Sequence, residues 1–377
     1  MDFNKYNSGE LRTELGVGES RYAESGLTRG ERNSAIAVIC AILVLAIVSC
    51  GVFALFTDEA LPVWRPSGSS STTTTTTSGK NPGGNVPETQ YPYATVTDKD
   101  SFIATAGGVD LGTVDLYSEY AILIKLSDMS TVAHQGADES IYPASMTKVM
   151  TIVTALDMIE DLDDGYVLTS DVLARIPDES STAYLASFVG KTVSVRDLLY
   201  GISYMSGSDS VICLIDYLNL TEAQFVARMN EKAAQIGLES TVFGGAIGMD
   251  DEENKTTCRD VAAIMAYAME NPLCRELFGG TEYKMDYIYP TYYNSTLHKN
   301  LKNNFSSTPE TIMSGYTLLG AKSGYEIKAG YCLVSLIRSN STGEEFILVT
   351  ANAPAYSAPY NKAPIFDMIE LFSKLEP

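Results

Sequence analysis

Ser145 and Lys148 stand three residues apart in Tyr142-Pro-Ala-Ser-Met-Thr-Lys148. On a helix that spacing puts both side chains on one face. A serine hydroxyl attacks poorly until a base takes its proton. A neutral lysine can be that base if its pKa falls from about 10.4 towards neutrality. Burial and a second cation nearby both push it down. A helix start also aims backbone N–H groups at developing negative charge. A Ser-x-x-Lys pair arises often by chance, and its plain alternative is a helix start with a solvated lysine. Here the pattern occurs once, and it opens an apolar helix.

Two further segments carry matching chemistry. Met205-Ser-Gly-Ser-Asp-Ser210 falls between two expected helices. The Ser206 hydroxyl could relay a proton to a leaving group, or the segment could be an ordinary helix-linking turn, where Ser and Gly are common. Lys322-Ser-Gly324 lies inside an apolar strand. A buried lysine there costs free energy unless it meets a partner or an anion. A strand glycine lets a backbone or a ligand approach closely. Lys322 would supply the second cation, and Ser323 a donor for a substrate carboxylate. Lys328-Ala-Gly330 competes as a second K-x-G, and a lysine reaching water from an edge is the plain alternative.

The elements that must position these residues are legible from periodicity. Glu119–Ser127 is an apolar run expected as a strand, with Thr131–Gln135 as its hairpin partner. Pro143 opens a helical pattern to about Ile159. Helices are expected at 194–205, 209–218 and 258–270. Another runs over Thr221–Ile236, with Thr221 and Gln224 as a capping box and Gly237 as its stop. Strands at about 317–323, 329–338 and 345–352 precede a final helix over 362–375. Strands, many helices, strands and a helix in that order indicate an α+β fold. Its sheet is mostly antiparallel, with helices on its faces and a helical insertion.

Composition narrows the function classes. The chain has 377 residues and a formal net charge of -21, which argues against nucleic acid. Two histidines and no CxxC pair give no support to a metal centre, so no metal or other cofactor is expected. Residues 1–33 read as a cytoplasmic tail. Ser34–Phe56 carries no charge and is long enough to cross a bilayer core of about 30 Å. Arg21, Arg29 and Arg32 precede it, while Asp58 and Glu59 follow. That asymmetry places the N-terminus in the cytoplasm and the remainder outside the cell membrane, which the chain crosses once. Residues 57–100, rich in Ser, Thr, Gly and Pro, form a linker reaching about 35–40 Å as a flexible coil. Residues 101–377 then make the folded domain that carries the three motifs, expected as the catalytic domain. Cys213, Cys258, Cys274 and Cys332 match no disulfide framework and read as free buried thiols.

The order SxxK, a Ser-x-x turn and K-x-G on a late strand resembles the penicillin-binding-protein and serine β-lactamase superfamily. The closest resemblance is to the low-molecular-mass D-alanyl-D-alanine carboxypeptidases, over about residues 112–355. YPASMTKVMT is similar to that family's first motif. Phe225-Val-Ala-Arg-Met-Asn230 with Lys232-Ala-Ala resembles its helix after the second motif. Lys322-Ser-Gly-Tyr-Glu-Ile-Lys-Ala-Gly-Tyr-Cys-Leu333 resembles its third motif and following strand.

The resemblance implies a β-lactamase or D,D-peptidase-like fold with a helical subdomain. It implies Ser145 as the acylated nucleophile, Lys148 as its base and Ser206 as proton relay. Ser208, Lys322, Ser323, Gly324 and Tyr325 would hold substrate. The backbone N–H groups of Ser145 and Tyr325 would form the oxyanion hole. The implied substrates are peptidoglycan stem peptides ending in D-Ala-D-Ala, with β-lactams as inhibitors.

The sequence departs from the family pattern in places. Ser208 stands where the family has Asn, which removes an amide contact worth about 1–3 kcal/mol. Ser323 replaces the usual Thr and keeps the hydroxyl. No arginine follows the last core strand, where Lys362 is the cation nearby. The chain also ends where many relatives begin a β-rich C-terminal domain. These departures motivate a second reading, a catalytically weakened relative that binds wall peptides or partners. A third reading, a β-lactamase, would need a group to activate the deacylating water.

Overall fold

The computed structural model describes residues 101–112, 114–285, 291–293, 313, 315–355 and 362–375. The tail, the apolar stretch and the linker expected over 1–100 lie outside the described residues. Among the described residues no helix is long and apolar enough to cross a membrane.

The first three strands are β1 (Val109–Asp110), β2 (Tyr120–Lys125) and β3 (Thr131–Gln135). A 3-10 turn, Ala144–Met146, leads into α1 (Thr147–Leu156). Next come β4 (Gly165–Val167), α2 (Ser170–Leu173) and β5 (Thr192–Ser194). Five longer helices follow: α3 (Val195–Met205), α4 (Ser208–Tyr217), α5 (Glu222–Ile236), α6 (Cys258–Met269) and α7 (Pro272–Gly279). The short strands β6 (Glu282–Lys284) and β7 (Thr291–Tyr293) precede β8 (Tyr316–Glu326), β9 (Gly330–Ser339) and β10 (Glu345–Ala353). The last helix is α8 (Ala363–Ser373).

Six strands form one sheet in the order β1-β3-β2-β10-β9-β8. All pairings in it are antiparallel except β1 with β3. The late strands thus complete the sheet begun by the early ones, and every helix but α8 belongs to the segment between them. This is the α+β architecture expected from the order of elements.

Side-chain alternation divides the sheet into two faces. Ile122, Ile124, Val334, Leu336, Ile347 and Val349 join the larger apolar core with the inserted helices. Ala121, Leu123, Leu333, Ile337 and Leu348 pack on the other face against Ile365, Met368, Ile369 and Phe372 of α8. On β8 the alternation changes parity. Tyr316 and Leu318 lie on the α8 side, and so does Ala321. A bulge between Leu318 and Gly320 supplies the extra residue. Beyond it, Lys322 and Gly324 point to the face opposite α8.

The helix expected from Pro143 is shorter than its periodicity implied. Pro143 and the Ala144–Met146 turn stand outside the α-helix, which ends at Leu156. All ten residues of α1 are buried, so it runs through the core rather than over it. The capping box of Thr221 and Gln224 and the stop at Gly237 (φ 94°) are present. Cys213, Cys258, Cys274 and Cys332 are free and buried. Periodicity missed β1, the β4–β5 hairpin, α2, α7 and the β6–β7 hairpin. Apart from the eight-residue α7, each is a two- to four-residue piece with too few side chains for a period to register.

Candidate active site

Ser145 is presented by the 3-10 turn at the start of α1. Ala144 just before it takes a left-handed backbone (φ 46°), unusual for a residue with a Cβ. A tight fit on two sides holds this turn. Gly248 approaches so closely that a Cβ there would lie 2.1 Å from the Ala144 carbonyl oxygen. On the other side, a Cβ on Gly324 would lie 2.9 Å from the Ser145 nitrogen. The glycine of the K-x-G motif is therefore required by the approach of β8 to the nucleophile's backbone.

Lys148 Nζ lies 3.0 Å from Ser145 Oγ and donates to the Ile247 carbonyl at 2.6 Å. The side chain is 1% exposed. Burial pulls its pKa down to about 7, while Glu326 and Asp209 draw it back up. A substantial neutral fraction at neutral pH follows, as a general base requires.

Lys322 is also 1% exposed. Its Nζ donates to Ser206 Oγ at 3.0 Å and to the Ser323 carbonyl at 2.8 Å. Burial first, and the charge of Lys148 second, hold its pKa well below the ordinary value. The charge of Lys148 thus lowers the pKa of Lys322, whereas burial is what lowers that of Lys148. The competing Lys328 sits outside the site, on the β8–β9 turn, where it pairs with Glu252.

Ser206 closes α3 in a left-handed conformation (φ 57°), and Gly207 starts α4. The helix-linking reading of this segment and the proton-relay reading therefore describe the same turn. Left-handed backbone on a non-glycine residue costs about 1–3 kcal/mol and clusters at functional positions. Ser208, by contrast, is buried at the first turn of α4, where its N–H donates to the Ser181 carbonyl at 2.8 Å.

Ser145, Ser206, Ser323, Gly324 and Tyr325 line one cleft of about 840 Å³. Ser208 is not among its lining residues. Lys362 stands just before Pro364 and Ile365, which line the cleft at its margin. Among the described residues no cluster of acidic, cysteine or histidine side chains could hold a metal.

Sequence reasoning missed the opposite lip. Residues 179–184 form it, with Glu179 and Tyr184 left-handed (φ 64° and 62°). The buried Asp209 carboxylate accepts the Ala183 N–H at 2.7 Å and the Leu185 N–H at 3.0 Å, and so clamps this lip. It also missed Glu326, which lines the cleft from the end of β8. A carboxylate one turn short of a loop gives no periodic signal.

A serine–lysine pair at a helix start, a serine turn between helices and a lysine on a sheet edge define a serine enzyme of the penicillin-binding-protein class. The profile of the D-alanyl-D-alanine carboxypeptidase family, Peptidase_S11, matches residues 109–355, and the chain belongs to that family. It is 27% identical over 238 residues to the D-alanyl-D-alanine carboxypeptidase DacF of Bacillus subtilis, covering 62% of this chain and 57% of that protein. It is 31% identical over 242 residues to DacA of Haemophilus influenzae, with the same shares of 62% and 57%. The chain thus spans little more than half the length of these relatives. Among solved structures, a D-alanyl-D-alanine carboxypeptidase from Mycobacterium tuberculosis superposes with a TM-score of 0.57 at 22% identity, covering 73% of this chain and 97% of that one. A Streptomyces DD-transpeptidase gives 0.57 at 23% identity, covering 68% and 97%. At those identities the two structures speak for the fold.

Proposed function

We propose that this protein is a serine D-alanyl-D-alanine carboxypeptidase that removes the terminal D-alanine from peptidoglycan stem peptides. The observation that carries the reading is the 3.0 Å approach of a buried lysine, with its pKa near 7, to Ser145 Oγ. Ser145 Oγ attacks the penultimate carbonyl as Lys148 takes its proton. The carbonyl oxygen gathers charge near the Ser145 and Tyr325 backbone N–H groups. As the carbon–nitrogen bond breaks, Ser206 passes a proton to the departing D-alanine. Ser323 and Lys322 hold the terminal carboxylate. Water then hydrolyses the ester, and Ser145 is restored.

The same chemistry makes β-lactams acylating inhibitors, because they present a strained amide to the same serine. The uncharged Ser34–Phe56 stretch, with basic residues before it and acidic ones after, supports a single-pass membrane anchor with the catalytic domain outside. The linker after it would let the domain work in a layer above the membrane.

Intact-protein mass spectrometry of the full chain with benzylpenicillin tests the reading. A penicilloyl adduct on wild type and none on Ser145→Ala is expected, together with D-alanine release from a D-Ala-D-Ala peptide. An adduct that persists on Ser145→Ala would sink the nucleophile assignment.

One observation favours a slower, binding-weighted variant of this function. The buried Ser208 leaves the cleft without the amide that relatives place there. Ser208→Asn is therefore expected to speed acylation by about tenfold, in line with one recovered hydrogen bond. An unchanged or lower rate would show that Ser208 does not occupy the position of that amide.

A further inference from the structure

Beyond the bulge, β8 runs in unbroken register, with Lys322 opposite Val334, Gly324 opposite Cys332 and Glu326 opposite Gly330. Residues two apart on a strand share a face and lie about 7 Å apart. Gly324, the middle one, rests against the Ser145 nitrogen. The strand thus carries a cation on one side of the nucleophile and a carboxylate on the other. Lys322 is committed to Ser206 and the Ser323 carbonyl. Among the described residues no hydrogen bond or ion pair engages the half-buried Glu326 carboxylate, which opens onto the cleft beside Ser145. Leaving a carboxylate partly desolvated without a partner costs free energy.

We propose that Glu326 is the counter-charge of Lys148, a positioning residue that steadies Lys148 while it carries the proton taken from Ser145. The proposal rests on the acyl-enzyme reading. When Ser145 Oγ bonds to the carbonyl carbon, its proton moves to Lys148 Nζ and the carbonyl electron pair moves to oxygen. Lys148 is then a cation in a dry site, with Lys322 opposing that charge and Glu326 favouring it. The proton leaves again as the carbon–nitrogen bond breaks and the amine departs.

The surrounding charges are consistent with this role. Asp209, from α4, also draws the Lys148 pKa upward, and Lys148 in turn pushes down that of Lys322 on β8. Glu326 is itself held back from ionising by burial and by Asp250, and is helped to ionise by Lys148. Asp250 accepts the Lys328 N–H at 2.8 Å, while the Lys328 ammonium turns to Glu252.

The test is the pH dependence of benzylpenicillin acylation between pH 5 and 9, followed by intact mass on the full chain. Wild type is compared with Glu326→Gln, Glu326→Ala and Glu326→Asp. Removing an opposite charge eases deprotonation of Lys148. The acid limb of both charge-removing variants should therefore move down by about 0.5–1 pH unit relative to wild type. At pH 6 each would keep roughly three- to fivefold more of its own plateau rate, and Glu326→Asp would stay near wild type. Acylation of Glu326→Gln or Glu326→Ala with an unmoved acid limb overturns the proposal alone. Absence of any adduct on wild type at every pH overturns the acyl-enzyme reading, and the counter-charge with it.

Discussion

Gly324 lies against Ser145 so closely that an added Cβ would sit 2.9 Å from the Ser145 nitrogen and 2.9 Å from the Ala144 Cβ. Neither atom can give way alone, because the left-handed Ala144 is pressed from the other side by Gly248. The nucleophile's backbone is therefore gripped between two glycines, one on the edge strand and one on the loop that supplies the Ile247 carbonyl.

Gly324→Ala should push β8 and the Ser145 turn apart. Overpacking of this kind costs about 1–3 kcal/mol. On the proposed mechanism the displaced groups include an oxyanion donor, so acylation should fall by a factor on the order of 10²–10³. Denaturant unfolding and acylation rates would be compared on the same sample. A rate loss no larger than the stability loss predicts would argue against a role for this approach in catalysis.

Lys148 couples activity to stability with opposite signs. Acylation should rise with pH through about 7 as the amine becomes neutral. The folded pKa lies below the unfolded one, so the unfolded chain binds more protons between about 7 and 10.5. The penalty of the buried ammonium is full below that window and gone above it. Lys148→Met should abolish acylation. Its stability relative to wild type should be highest at pH 6 and decline as the pH is raised to 10.5. A difference that stays constant with pH would mean that Lys148 is not desolvated in the fold.

Ser206 stores strain for its hydroxyl. Ser206→Gly accepts the φ of 57° without cost and should hold or raise the thermal midpoint slightly. It also removes the hydroxyl that Lys322 contacts at 3.0 Å. Turnover of a D-Ala-D-Ala peptide should drop by about 10²–10⁴ if this group relays the proton. Turnover within a fewfold of wild type would remove Ser206 from the relay.

Asp209 clamps the lip. Asp209→Ala leaves the Ala183 and Leu185 N–H groups without their acceptor, at a cost of about 2–4 kcal/mol. The freed 179–184 segment should then become a site of limited proteolysis after Glu179, and KM should rise more than kcat falls. Resistance equal to wild type would show that other contacts hold the lip.

The residues of the site were legible where chemistry is local. A serine and lysine at helical spacing, a serine turn and a lysine in an apolar strand are each visible in a short window. So were the long helices and the three late strands, because many side chains repeat the same period. The short hairpins were not, since nothing in three-residue strands distinguishes them from loop, and the lip at 179–184 has no repeating period to read. Glu326 and Asp209 were hidden for another reason: their roles depend on partners far away in the chain.

The chain order determines an antiparallel sheet with an inserted helical region, and the motifs determine which side chains could react. Only the tertiary structure decides which way they face. Without the bulge at Leu318 and Gly320, the period of two along β8 would carry Lys322, Gly324 and Glu326 to the α8 face. The bulge turns them to the 3-10 turn that bears Ser145. Burial then decides the rest, because a lysine titrates near 7 only where the packed core keeps water away from it.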